Sequence, residues 1–389
     1  MPLVCLGALS CLIWLTLITL WGRFWRLTTA PPGLTLSPPP PRVAVVIPAR
    51  NEAETLGRAL QSLLNQDYPG LLRIYVVDDH STDSTAHVAS VAGERITIVS
   101  SPDLPDGWTG KMWALEQGVK TAQAFSPEYF LFTDADIVHT RCSLSSLVAL
   151  AQSRKFDLVS MMVRLRCESF AERALMPSFV FFFFLLYPPN WVNDRRKKTA
   201  AAAGGDILVR AEAVDKMGGI EAVCGELIDD CALAREIKRN GAIWLGLTDE
   251  ASSIRRYNTF GTIGRMISRN AFYQLRHSFW LLIATLLGLC ITFLAPPAVL
   301  LAGLLSNYVA ALLGGLAWLL MSLSFLPMAR FYGLSVVWAA TLPLVAIFYA
   351  GATMHSALLY WLGRGGEWKG RAQDTRLSAK SVLNPKRSK

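Results

Sequence analysis

Hydrophobic positions follow two patterns in this chain. From residue 43 to about 165, short apolar runs alternate with amphipathic stretches, whereas residues 3–21 and 279–362 are apolar almost throughout. The run 43–47 reads as a buried strand. Leu56, Leu60, Leu63 and Leu64 then recur at i, i+4, i+7 and i+8, one face of a helix. Residues 73–79 predict a second strand with a helix opening near 81–83, and 96–100 a third strand. A helix over 110–125 and a strand over 129–133 follow. Strands alternating with helices predict βαβ units and a mostly parallel sheet. Past residue 150 the pattern loosens. Residues 157–165 read as a strand, and Gly204-Gly205 before 206–210 permits a close backbone approach. Residues 229–240 form a helix closed by Asn240-Gly241.

The apolar ends have the length of membrane-spanning helices. Arg23 and Arg26 follow the first span and no basic residue precedes it, so its N-terminal end faces out and the chain beyond it faces the cytoplasm. This is an anchor at 1–25 rather than a cleaved signal peptide, which would carry a basic leading region. Six prolines within 30–42 make 26–42 a stiff linker. Spans at 279–298, about 300–327 and about 333–361 are separated at Pro296-Pro297 and Pro327. The Phe-rich stretch 170–191 is short for a span and reads as interfacial or buried.

Composition agrees with this division: 52% of residues are hydrophobic and only 17% charged, below the quarter usual in soluble domains. Part of the net charge of +9 sits in the tail 363–389, where eight Lys or Arg face two acids. A basic tail after an apolar span suits anionic lipid headgroups, and an ordinary solvated end is an equal reading. No aromatic–basic interleaving suggests nucleic acid. The seven cysteines form no C-x-x-C pair, so neither a disulfide framework nor a zinc site follows.

Within 43–257, acids gather at three stations: Asp78-Asp79, Asp134-Ala135-Asp136 and Asp229-Asp230. The first two end strands, where an open parallel sheet places its ligand crevice. Asp134 and Asp136 offer hard oxygen ligands for Mg2+ or Mn2+, a substrate diphosphate completing the shell. Asp230 opens a helix, where the dipole favours a carboxylate, and is the candidate general base. Helix capping alone would also account for acids at the first and third stations. Lys111, at a helix start after Gly110, can reach a diphosphate or simply be solvated. Trp108 and Trp113 can line a sugar or lipid pocket or belong to the core. Over 258–278, Arg265, Arg269 and Arg276 share one helical face opposite Ile263, Ile267 and Ala271. Such a helix can lie in a membrane interface, its arginines holding diphosphate or snorkelling to lipid phosphate.

The motifs Val45-Val46-Ile47-Pro48-Ala49-Arg50-Asn51-Glu52, Asp78-Asp79, Asp134-Ala135-Asp136 and Asp229-Asp230 occur in the order seen in the inverting nucleotide-sugar glycosyltransferases of family 2. The resemblance covers roughly 43–250. The segments 106–114 (Asp-Gly-Trp-Thr-Gly-Lys-Met-Trp-Ala) and 265–276 further resemble the hopene-associated glycosyltransferases of bacteria. The resemblance implies a GT-A, Rossmann-like α/β catalytic domain over 43–257, an interfacial helix at 258–278 and a membrane region at 279–362. It implies that Pro48, Arg50, Asn51, Glu52, Lys111, Asp134, Arg265 and Arg269 bind the nucleotide sugar. Asp78 or Asp79 would meet the nucleoside, Asp136 with Asp134 would hold the metal, and Asp230 or Asp229 would be the base. The family usually has Glu-Asp where this chain has Asp229-Asp230. Processive synthases carry Gln-x-x-Arg-Trp near 265–269, and this chain does not. The expectation is therefore a multi-pass bacterial inner-membrane enzyme with a cytoplasmic catalytic domain. It transfers one sugar, UDP-linked, to a membrane lipid such as a hopanoid. A polyprenyl-phosphate or ceramide-type acceptor, or an inert scaffold retaining the fold, are the alternatives.

Overall fold

The computed structural model describes residues 1–363, 367–368 and 371–372, so nearly all of the basic tail lies outside the described residues. The chain divides into two compact units. One holds Met1–Leu27, Cys167–Asn190 and the described residues from Tyr257 to Gly363, and the other Thr28–Arg166 and Trp191–Arg256.

The second unit is built on an eight-stranded sheet. Its strands are β1 (Val43–Ala49), β2 (Leu72–Asp78), β3 (Ile96–Ser100), β4 (Tyr129–Thr133), β5 (Ile137–His139), β6 (Leu158–Arg164), β7 (Asp206–Arg210) and β8 (Ile243–Ser253), in spatial order β3-β2-β1-β4-β7-β6-β8-β5. Every residue of β1 is buried, as its unbroken apolar run requires of a central strand. Leu56, Leu60 and Leu63 of the Ala53–Leu64 helix pack against it. On the Gly110–Ala122 helix, a Cβ at Gly118 would lie 2.3 Å from a methyl of Val46, so only glycine lets that helix approach β1 so closely.

The expected mostly parallel sheet holds for one half only. β1, β2, β3 and β4 pair in parallel, as does β6 with β8, but β7 runs antiparallel to both β4 and β6, and β5 antiparallel to β8. The sheet is mixed. Strand–helix alternation up to residue 133 forced parallel crossovers, whereas the long connection from 165 to 205 lets β7 return in the opposite sense.

The first unit is helical. Among the described residues, five segments are long and apolar enough to cross a membrane by length and composition: Pro2–Thr19, Phe170–Val192, Phe279–Ser306, Tyr308–Phe331 and Val336–Trp361. Phe170–Val192 joins β6 to β7, and those strands pair with each other. A single crossing there would put two neighbouring strands on opposite sides of a bilayer, so chain connectivity favours a helix lying along the interface or buried in protein. Its start is firmly capped: Ser169 and Glu172 form a reciprocal capping box, and the buried Glu172 carboxylate also accepts from the backbone N–H of Glu168 and Tyr257.

The prolines do not mark the breaks between the C-terminal spans. Pro296 and Pro297 sit within the continuous segment Phe279–Ser306, directly after a π-helical turn at Cys290–Leu294, and Pro327 lies inside Tyr308–Phe331. The wider π turn accommodates a ring that would clash in an α-helix. Carbonyls in that turn are satisfied from the N-terminal helix, Ser10 Oγ donating to Ile291 and Trp14 Nε1 to Thr292. The actual breaks fall at Asn307, whose side chain caps the next helix, and at Gly333 with positive φ. The helix expected over 258–278 is Phe260–Gln274, and Arg276 lies beyond it with φ of 52°. Arg265 and Arg269 therefore share the exposed helical face without Arg276, opposite buried Ile263 and Ile267.

Candidate active site

The loop after β1 and the loop after β2 are latched together. Asn51, at φ 52°, accepts from the Thr82 backbone N–H through Oδ1 at 2.8 Å and donates its own N–H to Ser81 Oγ at 3.0 Å. Glu52 N–H donates to Thr85 Oγ1 at 2.8 Å. Arg50 pairs with the fully buried Asp79 at 3.6 Å and donates to its backbone carbonyl. Arg50, Asn51 and Asp79 thus hold the two loops to each other. Asp78, half-buried at the end of β2, keeps one carboxylate oxygen without a hydrogen-bond partner. Of the two acids at this station, Asp78 is the less buried.

The second and third stations meet on Lys111. Thr109 caps the Gly110–Ala122 helix through its side chain, fixing Lys111 in the first turn. Lys111 Nζ lies 3.1 Å from Asp134 Oδ1 and 3.3 Å from Asp229 Oδ2. Asp134 follows β4, and Asp229 and Asp230 are the first two residues of the Asp229–Asn240 helix. A Cβ on Gly204 would fall 3.3 Å from both Lys111 Nζ and Asp230 Oδ2, so glycine leaves room for these groups to converge. Pro48, Lys111, Asp134, Gly204, Asp229 and Asp230 line one small pocket. Trp108 and Trp113 pack edge to face at 5.0 Å, and Trp113 Nε1 donates to the Pro102 carbonyl at 3.0 Å. Arg265 and Arg269 belong to the helical unit.

Burial perturbs the Lys111, Asp134 and Asp230 side chains. It pushes the Asp230 carboxyl up to about 7, with Asp229 adding to the rise, Lys111 opposing it and the Cys231 N–H bonding Oδ1 at 2.7 Å. Burial also raises Asp134, against the pull of Lys111 and with help from Asp136. Lys111 itself is lowered by burial, but Asp134, Asp229 and Asp230 more than reverse this and hold it well above its ordinary range. A firmly charged cation therefore sits between a carboxylate at a strand end and one poised near neutrality.

Asp136 is placed differently from Asp134. Its Oδ2 accepts from Ser253 Oγ at 2.6 Å, its Oδ1 from Arg255 Nη2 at 3.2 Å, and its carbonyl from Ile254 N–H at 2.9 Å. Arg255 also pairs with Glu52 at 2.7 Å. No sequence signal pointed to Ser253 or Arg255: they lie 117 and 119 residues from Asp136 and meet it only because β8 pairs with β5. Among the described residues no group of three or more His, Cys, Asp or Glu could hold a metal alone. Two carboxylates relying on substrate phosphate oxygens still suit Mg2+ or Mn2+. Asp134, its side chain 37% exposed, fits that role where Lys111 shares its Oδ1, and Asp136 where Arg255 shares or yields its oxygen.

Known proteins agree with this architecture. Residues 44–218 match the family described as Glycosyl transferase family 2. A 4,4'-diaponeurosporenoate glycosyltransferase of Staphylococcus aureus (strain USA300) is 39% identical over 100 residues, 25% of this chain and 25% of that protein. The match thus spans a quarter of the relative's length. Among solved structures, a mannosyltransferase from Pyrobaculum calidifontis in complex with GDP-Man and Mn2+ is similar at a TM-score of 0.58 and 21% identity, covering 90% of this chain and 99% of that one. Over residues 44–218, which hold Lys111, Asp134 and Asp136, the chain is similar to glycosyl transferase family 2.

Proposed function

We propose that this protein is a membrane-bound inverting glycosyltransferase that moves one sugar from a nucleotide diphosphate donor to a lipid. The convergence of Asp134, Asp229 and Asp230 on Lys111 carries this reading. It joins a carboxylate suited to a cation-bridged diphosphate with one suited to accept a proton. Asp78 would receive the nucleoside, and Pro48 would line the donor pocket. Asp134, with Asp136, would hold a divalent cation, which supplies Lewis-acid stabilisation of the leaving diphosphate when bound. Lys111 would turn part of its charge toward the same leaving group. Arg265 and Arg269 are candidates for further diphosphate contacts.

Inversion requires an acceptor hydroxyl to attack the anomeric carbon opposite the departing phosphate oxygen. One C–O bond forms, one breaks, and the hydroxyl proton must go to a base. Asp230, raised to about 7, has the affinity for a proton that such a base needs near neutral pH. Asp229 is more tightly committed to Lys111.

The acceptor is a membrane lipid because the domain is continuous with segments long and apolar enough to span a bilayer. The Staphylococcus aureus relative is named for 4,4'-diaponeurosporenoate, and the hopene-associated resemblance makes a hopanoid the specific candidate here. The donor is UDP-linked on that resemblance. Anchor, linker, catalytic domain, interfacial helix and membrane region follow the boundaries 1–25, 26–42, 43–257, 258–278 and 279–362. The catalytic domain faces the cytoplasm of a bacterial inner membrane. Purified protein given UDP- or GDP-linked radiolabelled sugars and extracted bacterial lipids tests this reading. A UDP-dependent labelled lipid, shifted in mass by one hexose or N-acetylhexosamine, is expected; label in soluble acceptors only would overturn it.

A further inference from the structure

Arg255 is a cation already seated at the second acid of the 134–136 loop. Its Nη2 bridges Asp136 Oδ1 at 3.2 Å and Glu52 Oε1 at 2.7 Å, and the three side chains are 27%, 8% and 10% exposed. The bridge ties the loop after β1 to the loop between β4 and β5. Ser253 and Ile254, the two residues before it in the chain, bond the other carboxylate oxygen and the carbonyl of Asp136. The segment 253–255 therefore holds Asp136 from three sides.

We propose that Arg255 acts as a built-in counter-cation that competes with the divalent cation for Asp136 and makes cation affinity depend on the donor. This rests on the reading that the 134–136 loop takes Mg2+ or Mn2+. A guanidinium and a divalent ion on one buried carboxylate repel, and the low effective dielectric strengthens that repulsion. An ion reaching Asp136 must displace the guanidinium or bear its charge. A displaced guanidinium has a natural partner in the donor diphosphate, which it can bind bidentately. The donor thus relieves the competition, and cation and nucleotide favour each other's binding reciprocally. Arg255 is a positioning residue in this scheme: it keeps Glu52 and Asp136 neutralised until the donor arrives.

The test is Mn2+ binding to the full chain in detergent, followed by the paramagnetic resonance of free Mn2+, with and without UDP. Arg255→Met should bind Mn2+ alone about ten-fold more tightly than wild type, and UDP should enhance its affinity less. Arg255→Lys, which keeps the charge but loses the fork, should fall between and serves as the test if the methionine variant does not fold. Adding Asp136→Asn should abolish the gain. As a second readout, Mn2+ alone should raise the melting temperature of Arg255→Met more than that of wild type. Equal Mn2+ affinities with the UDP enhancement intact would overturn the role of Arg255 and leave the metal reading standing. No Mn2+ binding to any form, even with UDP, would overturn both.

Discussion

Lys111→Met removes the cation that joins Asp134 of the second station to Asp229 of the third. Lys111 stands 3.1 Å from Asp134 and 3.3 Å from Asp229, with its side chain 19% exposed. Exposed ion pairs contribute about 0.2–1 kcal/mol, and stripping a partner from a buried pair costs about 3–5 kcal/mol. Lys111 lies between these limits, with Asp134 more than a third exposed and Asp229 19% exposed. Its loss should therefore cost roughly 2 kcal/mol, by interpolation between the two cases. The second consequence is electrostatic. Lys111 draws the Asp230 carboxyl down, so without it that group rises above about 7. A base with a higher pKa is deprotonated only at higher pH, so the ascending limb of the pH–rate profile should move upward. Urea unfolding and a profile of sugar transfer from pH 5 to 9 measure the two effects on the same preparation. An ascending limb at the wild-type position, with stability changed by less than about 0.5 kcal/mol, would show that Lys111 is a solvated lysine and would refute the reasoning.

Other consequences are open to direct checks. Asp230 has its folded-state pKa raised from 3.8 to about 7, so its contribution to stability is fully present below 3.8 and is lost as pH rises through 7. Asp230→Asn should remove that dependence, and melting temperatures followed from pH 5 to 8 should fall less steeply in the variant than in wild type. Gly204→Ala places a methyl 3.3 Å from both Lys111 Nζ and Asp230 Oδ2. Transfer should drop about ten-fold from misplacement alone while the melting curve stays near that of wild type; unchanged turnover would mean these groups need not converge. For topology, a cysteine replacing exposed Arg95, in a chain cleared of the exposed Cys5, Cys142 and Cys290, should resist an impermeant reagent in intact cells and react after permeabilisation. Ready labelling from outside would reverse the orientation.

Local pattern made the first half of the sheet legible. The run that became β1 is apolar at nearly every position because both faces of a central strand are covered, and Leu56, Leu60 and Leu63 mark the buried helix face directly. Asp134 could be named because it ends such a strand. The sense of β7 was not legible, since the connection from 165 to 205 imposes no crossover geometry. Nor were the span breaks, because proline is tolerated where a π turn precedes it and a polar Asn307 does the capping instead. The acids were visible, but their partners were not. Which of Asp78 and Asp79 can meet a ligand depends on Arg50, and the state of Asp136 on Arg255. Those pairings are set by strand register across long sequence separations, which no local motif encodes.

The central claim is that Asp230 takes the acceptor proton while the donor is held by other groups. Its most direct test measures Asp230→Asn twice on one preparation: UDP binding by calorimetry, and sugar transfer to extracted lipid. The substitution keeps the side chain's size and removes its proton affinity. Transfer should fall by about 10²–10⁴, the usual contribution of a general base, with UDP affinity nearly unchanged. Transfer within a few-fold of wild type would contradict the account. If Asp229→Asn abolishes transfer while Asp230→Asn does not, the base is the neighbouring acid.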